Sequence, residues 1–221
     1  MRTLVRSLTG LVVLVALLAA GCGGEAGRAG GKSGGQATPK NTIRTLSDAL
    51  ENGRKDAFVS CFKLQGRQRE YLGANFDMGY GIVRLRKALE ETYGSDAWQK
   101  FREAGGHWGA GFEVATDEML DRVVVKIDGD KAACTMPDET EPMLMVKVGG
   151  AWLIDLSTQL PADDRVPEAM KAMALTTAAV EKGIAQVGKP GQSPESVNRL
   201  VCTEMTRGLM GGAPVPVPPA E

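Results

Sequence analysis

Histidine is almost absent from this chain: His107 is the only one in 221 residues. Catalytic and zinc-binding constellations built on several imidazoles are thereby excluded, and a general base has to be His107 or a carboxylate. Cysteine is sparse too, four in all, with no Cys-x-x-Cys pair and no spacing that matches a metal motif. No Walker loop, dinucleotide-type glycine pattern or Gly-x-Ser-x-Gly elbow occurs; GKPGQS, residues 188–193, has neither the spacing nor a preceding strand. Positive charge is nowhere concentrated. The most basic stretches, GRQRE and RLRK, run into the acidic ALEE, the pattern of a solvated helix face, so no nucleic-acid partner is expected. After Ala20 no apolar run approaches the roughly 20 residues that span a bilayer.

What the chain does have, at its start, is Arg2 and Arg6 ahead of an unbroken apolar core from Leu11 to Ala20. That core is too short to span a membrane and reads as the apolar region of a secretory leader. It ends in Ala19-Ala20-Gly21-Cys22, which resembles the lipobox of bacterial lipoproteins. The resemblance implies removal of residues 1–21, a diacylglyceryl thioether and an acylated amine on Cys22, and a lipid-anchored, extracytoplasmic address. Gly23, standing where Asp would retain the protein elsewhere, implies the periplasmic face of an outer membrane in a cell that has one. Each buried methylene is worth about 0.8 kcal/mol and one chain holds only marginally, so several together give a firm anchor. Residues 22–40 are dominated by Gly with polar residues and read as a flexible tether of roughly 25 Å reach. Losing Arg2 and Arg6 from the 26 Lys and Arg leaves 24 against 27 Asp and Glu.

Residues 41–208 have enough length for one domain with a core of its own, of which 41–160 read as its α+β part. NTIRTLSDALENG places Ile43, Leu46 and Leu50 at helical spacing, and RKDAFVSCF continues as a short helix with Phe58, Cys61 and Phe62 on one side. A longer helix follows, with Ile82, Leu85, Leu89 and Thr92 in rhythm and Gly94 as its stop. Gly73, Gly79 and Gly81 inside it make sense where another backbone packs close. SDAWQKFREAGG is a short helix with Ser95 as N-cap. The period then changes. RVVVKIDGDKAACTM is a hairpin about Asp128-Gly129-Asp130, and EPMLMVKVGGAWLIDLS is a second one turning at Gly149-Gly150. The acidic link PDETEP does not reproduce an EF-hand loop, and no metal is expected there. Residues 161–210 read as a helical hairpin. Met170, Met173, Thr177, Val180, Ile184 and Val187 form its first apolar stripe; after Ser193 and Pro194 the second carries Val197, Leu200, Val201 and Met205. This pair docks on the sheet or receives a partner. Residues 211–221 are a Pro-rich tail. The fold class is α+β: helices first, then a curved antiparallel sheet, then the helical hairpin.

Of the cysteines after Cys22, either one pair among Cys61, Cys134 and Cys202 forms a disulfide, as an extracytoplasmic compartment permits, or all three are small buried apolar residues. ALENGRKDAFVSCF, the long helix, the Trp-bearing helix, VVVKIDGDKAAC and MLMVKVGGAWLIDL together resemble a bacterial NTF2-like (cystatin-like) α+β domain over about residues 41–157. The resemblance implies a sheet and helices enclosing a cone-shaped pocket, where enzymes of this shape place a carboxylate or a His-Asp pair. Here the candidates are His107, beside Trp108 in a glycine-rich loop, and Asp121 and Asp155 at strand ends. Families of this shape include isomerases, dehydratases, ligand binders and lipoproteins of no known activity, so fold does not fix function. The apolar patterning without a convergent ionisable set points to a noncatalytic binding or scaffold domain for a small apolar ligand or an envelope protein, without cofactor. The alternatives are a pocket enzyme of isomerase or dehydratase type and a homodimer through the open sheet face.

Overall fold

The structure, a computed structural model, describes residues 35–105, 115–137, 139–157 and 159–209. Gln36 already belongs to the fold. Its carbonyl accepts the Trp152 N–H at 2.8 Å and its side-chain amide donates to the Ser60 carbonyl at 3.0 Å. Helix α1, Pro39–Glu51, follows at once; the Thr38 hydroxyl accepts from the Asn41 N–H at 3.2 Å and Pro39 supplies a preset φ. Both residues fall in the segment whose composition reads as tether, yet a Thr-Pro pair starts a helix whatever precedes it. Helix α2, Lys55–Ser60, ends sooner than its apolar spacing suggests. Phe62 leaves the helix for a two-residue strand, β1 (Phe62–Lys63), while keeping its ring 5.3 Å from that of Phe58.

Helix α3, Gln68–Tyr93, is the long one, and Gly94 stops it with φ 99°. At Gly81 the close neighbour is a side chain rather than a backbone: an added Cβ would stand 3.4 Å from Val180. Helix α4, Ala97–Gly105, starts from Asp96, whose carbonyl accepts the first helical bond from Lys100 at 3.0 Å, so the cap position lies one residue beyond Ser95. A short helix the apolar pattern does not announce, α5 (Asp117–Arg122), is capped by the Thr116 hydroxyl and opens with Asp117 and Glu118 at its positive end.

Four strands follow: β2 (Val124–Asp128), β3 (Lys131–Thr135), β4 (Met143–Val148) and β5 (Ala151–Asp155). Gly129, Gly149 and Gly150 adopt positive φ at the two hairpin turns. The sheet order is β1-β5-β4-β3-β2, antiparallel throughout except that β1 runs parallel to β5. The register sorts side chains to two faces. One row, Ile127–Ala132–Met145–Ile154–Phe62, crosses all five strands on the inner face. Helix α1 packs on that face, where the buried Thr42 hydroxyl donates to the Trp152 carbonyl at 2.7 Å. Arg44 and Asp117, 3.1 Å apart, join α1 to α5.

The last two helices, α6 (Val166–Ile184) and α7 (Pro194–Leu209), run antiparallel: Gly183 lies against Val201, and Gly208 against Leu175. Ser193 caps α7. They dock within the chain, on helices rather than on the sheet, with α6 along α3 and α7 against α4 and α6. The contact is tight enough that the buried Asn198 amide reaches the Phe101 carbonyl at 2.8 Å. The molecule is therefore layered as sheet, then α1, then α3, then the C-terminal pair, leaving the other face of the sheet without a described layer.

Candidate functional site

Among the described residues, those singled out in the sequence do not converge. Cys22, His107 and Trp108 lie outside the described residues. Asp121, at the end of α5, is exposed, and its carbonyl accepts from Lys40 at 3.1 Å. Asp155, at the end of β5, pairs with Lys63 at 3.2 Å and accepts from the Ser157 N–H at 3.0 Å. Burial alone would raise its carboxyl, but the Ser157 bonds and the Lys63 ammonium outweigh it and hold the group below the usual carboxylate range. An acid held ionised in this way is a poor proton acceptor at neutral pH.

Cys61, Cys134 and Cys202 stand on α2's end, β3 and α7, and no disulfide joins two of them. Cys61 gives its thiol to the Ala57 carbonyl at 3.3 Å, Cys134 contacts the Met145 sulfur at 3.8 Å, and Cys202 contacts the Asn198 carboxamide oxygen at 3.2 Å. Burial pushes both Cys61 and Cys134 up to about 11, so they stay protonated and unreactive. Among the described residues no group of His, Cys, Asp and Glu is placed to hold a metal.

Two features remain, one inside and one outside. Inside, Asn75 of α3 is 2% exposed and its amide nitrogen has no hydrogen-bond partner. Tyr71, one turn earlier on the same face, is buried, and burial pushes its phenol up to about 12. The two occupy an arc of α3 apart from those that meet α2 through Phe76 and α6 through Gly81. An unpaired buried donor costs about 1–3 kcal/mol, so Asn75 offers a polar handle inside an apolar interior. Further along α3 the buried Arg86 Nε also lacks a partner, and Glu90, raised by burial against the pull of Arg86, sits one turn on. Eleven residues of helix separate Asn75 from Arg86, about 16 Å along the axis, too far for one small molecule to engage both.

Outside, the register places Val124, Lys126, Ala133, Leu144, Val146, Val148, Ala151 and Leu153 on the face turned from the helices. Val124, Leu144 and Val148 are 56%, 49% and 48% exposed. Leu144 sits beside Ala133, and Val146 beside Leu153, so the apolar surface is continuous across β3, β4 and β5. Lys126, Asp128 and Lys131 border it with both signs of charge, and Lys63 with Asp155 closes the far edge. Scattered apolar residues on a surface mean nothing; a contiguous patch with a charged rim is a candidate interaction surface. Sequence reading offers an open sheet face as one alternative but does not say which residues line it, because alternation along β4 tells which residues share a face and not which face is covered.

No described helix is long and apolar enough to cross a membrane. Comparison with protein families, with curated proteins and with solved structures finds no match. Function therefore has to be read from the geometry.

Proposed function

We propose that this chain is a membrane-anchored, extracytoplasmic lipoprotein whose NTF2-like domain is a noncatalytic binding or scaffold module, and that the open face of its sheet takes another envelope protein. The apolar surface of Leu144, Val124 and Val148 carries this reading. Its rim of Lys126, Lys131 and Asp128 is of mixed sign, which suits a protein surface of the same make-up and gives no single-sign field for headgroups or nucleic acid. The order of helices and the sheet beginning at β1 support the NTF2-like assignment, with α6 and α7 as an addition that thickens the helical side. A photo-crosslinking residue at Leu144, in growing cells, should give a discrete adduct whose mass differs from that of two chains, absent when the probe sits at exposed Lys171 on α6. Equal labelling from both positions would remove the reading.

A small ligand is the second reading, favoured by the unpartnered Asn75 amide near Tyr71. Such a ligand would be mostly apolar with one hydrogen-bond acceptor for Asn75. Native mass spectrometry of the purified protein should then show a bound small molecule that Asn75→Leu loses; a clean apoprotein mass for the unchanged chain would rule it out.

A further inference from the structure

The sheet ends at β2, which pairs with β3 on one side and with no described strand on the other. Which of its main-chain groups face the open edge follows from one hydrogen bond. Lys147 N–H donates to the Asp130 carbonyl at 2.8 Å, which makes Lys131 and Val146, opposite each other in β3 and β4, a non-hydrogen-bonded pair. The amide groups of Lys131 therefore point the other way, towards Asp128 of β2. By alternation Val124, Lys126 and Asp128 bond to β3, and Val125 and Ile127 direct both N–H and C=O out of the edge. Ile127 is also 58% exposed, the highest value among the described large apolar side chains.

We propose that this edge pairs antiparallel with β2 of a second copy of this chain, about a two-fold axis through Ile127. In a symmetric antiparallel pair, residues facing each other must lie on the same side of the sheet, so the axis passes through a residue and not between two. An axis through Lys126 sets two ammonium groups side by side at the close, non-hydrogen-bonded position. An axis through Ile127 lets each Ile127 exchange both main-chain bonds with its counterpart and covers both side chains. It also sets Lys126 against Asp128 of the second copy, twice over. Val125 then meets Gly129 of the second copy, and Gly129 has open space around it. A lysine on a free edge ordinarily discourages strand addition. With Asp128 two residues on, the same lysine selects one register. The resulting sheet joins two open faces side by side and leaves Leu144 and Val148 free, so the inference rests neither on the anchor nor on an envelope partner.

The full chain in mild detergent, followed by size exclusion with light scattering and by oxidative cross-linking, tests this. The unchanged protein should be a dimer, and Ile127→Cys should cross-link to itself where the unchanged chain does not. Lys126→Asp should weaken the dimer by about tenfold, two attractive pairs having become repulsive, and Lys126→Asp with Asp128→Lys together should restore it. Matching circular dichroism melts establish that the variants are folded. A monomer at all concentrations, a dimer indifferent to Lys126→Asp, or a cross-link joining Val125→Cys to Ile127→Cys would overturn the proposal. Leu144→Asp, which attacks the open face, should leave the dimer intact, so loss of an envelope partner and loss of the dimer are separate outcomes.

Discussion

Two glycine-to-alanine changes, on helices packed against each other, should move stability in opposite directions. Gly183 is near the end of α6 and faces α7; an added Cβ would lie 2.5 Å from Val201 Cγ2, inside any tolerated contact. Val201 is buried, and the same Cβ would also stand 3.6 Å from Val197 and 3.9 Å from Leu85, so the methyl enters a space already filled on three sides. Overpacking of this kind costs typically about 1–3 kcal/mol, against a gain of about 1 kcal/mol from replacing a helical glycine. The expected net loss is up to about 2 kcal/mol, a fall in Tm of up to roughly 4–8 °C for a domain of this size. At Gly81 the same methyl meets Val180 at 3.4 Å, ordinary contact, so only the propensity gain remains. Gly81→Ala should therefore raise Tm by roughly 2–4 °C. Thermal unfolding followed by circular dichroism on both variants decides the matter. A Gly183→Ala protein stabilised as much as Gly81→Ala would show that α6 and α7 are not packed as described.

Thr42→Val removes the buried hydroxyl that donates to the Trp152 carbonyl at 2.7 Å while keeping the shape, and urea unfolding should show a loss of about 1 kcal/mol. Asn198→Ala takes away the 2.8 Å bond to the Phe101 carbonyl and opens a space between α4 and α7; about 2 kcal/mol should go in the same assay. Asp155 has a folded pKa below its unfolded one, so its contribution is present above the unfolded value of about 4 and is lost as pH falls through the folded value. Asp155→Asn should then unfold more easily than the unchanged protein at pH 7, with the gap closing under acid. Cys61 and Cys134, buried thiols, should resist a disulfide reagent at pH 8 in the native protein and react fully in denaturant; rapid native reaction of either would contradict their burial.

The parts of this fold that show in the sequence are those with a local cause. Asp-Gly and Gly-Gly at the two turns need positive φ, and the strands beside them alternate, so both hairpins are legible. The long α3 and its stop at Gly94 follow from apolar rhythm and one glycine. Strand β1 is not legible: Phe62 and Lys63 carry no period, and only the parallel neighbour β5 makes them a strand. Helix α5 is too short for periodicity, although Thr116 followed by Asp117 and Glu118 is an N-terminal signal that stands in the sequence. The stripe on α6 predicts what is buried but not against what, and the surface it finds is α3. Asn198 interrupts the stripe of α7 with a polar residue whose partner, Phe101, lies 97 positions away, beyond any local pattern. The candidate sites are least legible of all. An open sheet face is among the sequence alternatives, but its lining is defined by what does not cover it and the Asn75 site by what does not pair with its amide, and neither condition is written in neighbouring residues.

Membrane fractionation of cells expressing the unchanged chain and Cys22→Ser tests the functional reading at its root. The unchanged protein should sediment with membranes and be released by detergent, while the serine variant appears in the soluble extracytoplasmic fraction. A serine variant that still sediments, or an unchanged chain found in the cytosol, would contradict the anchored reading.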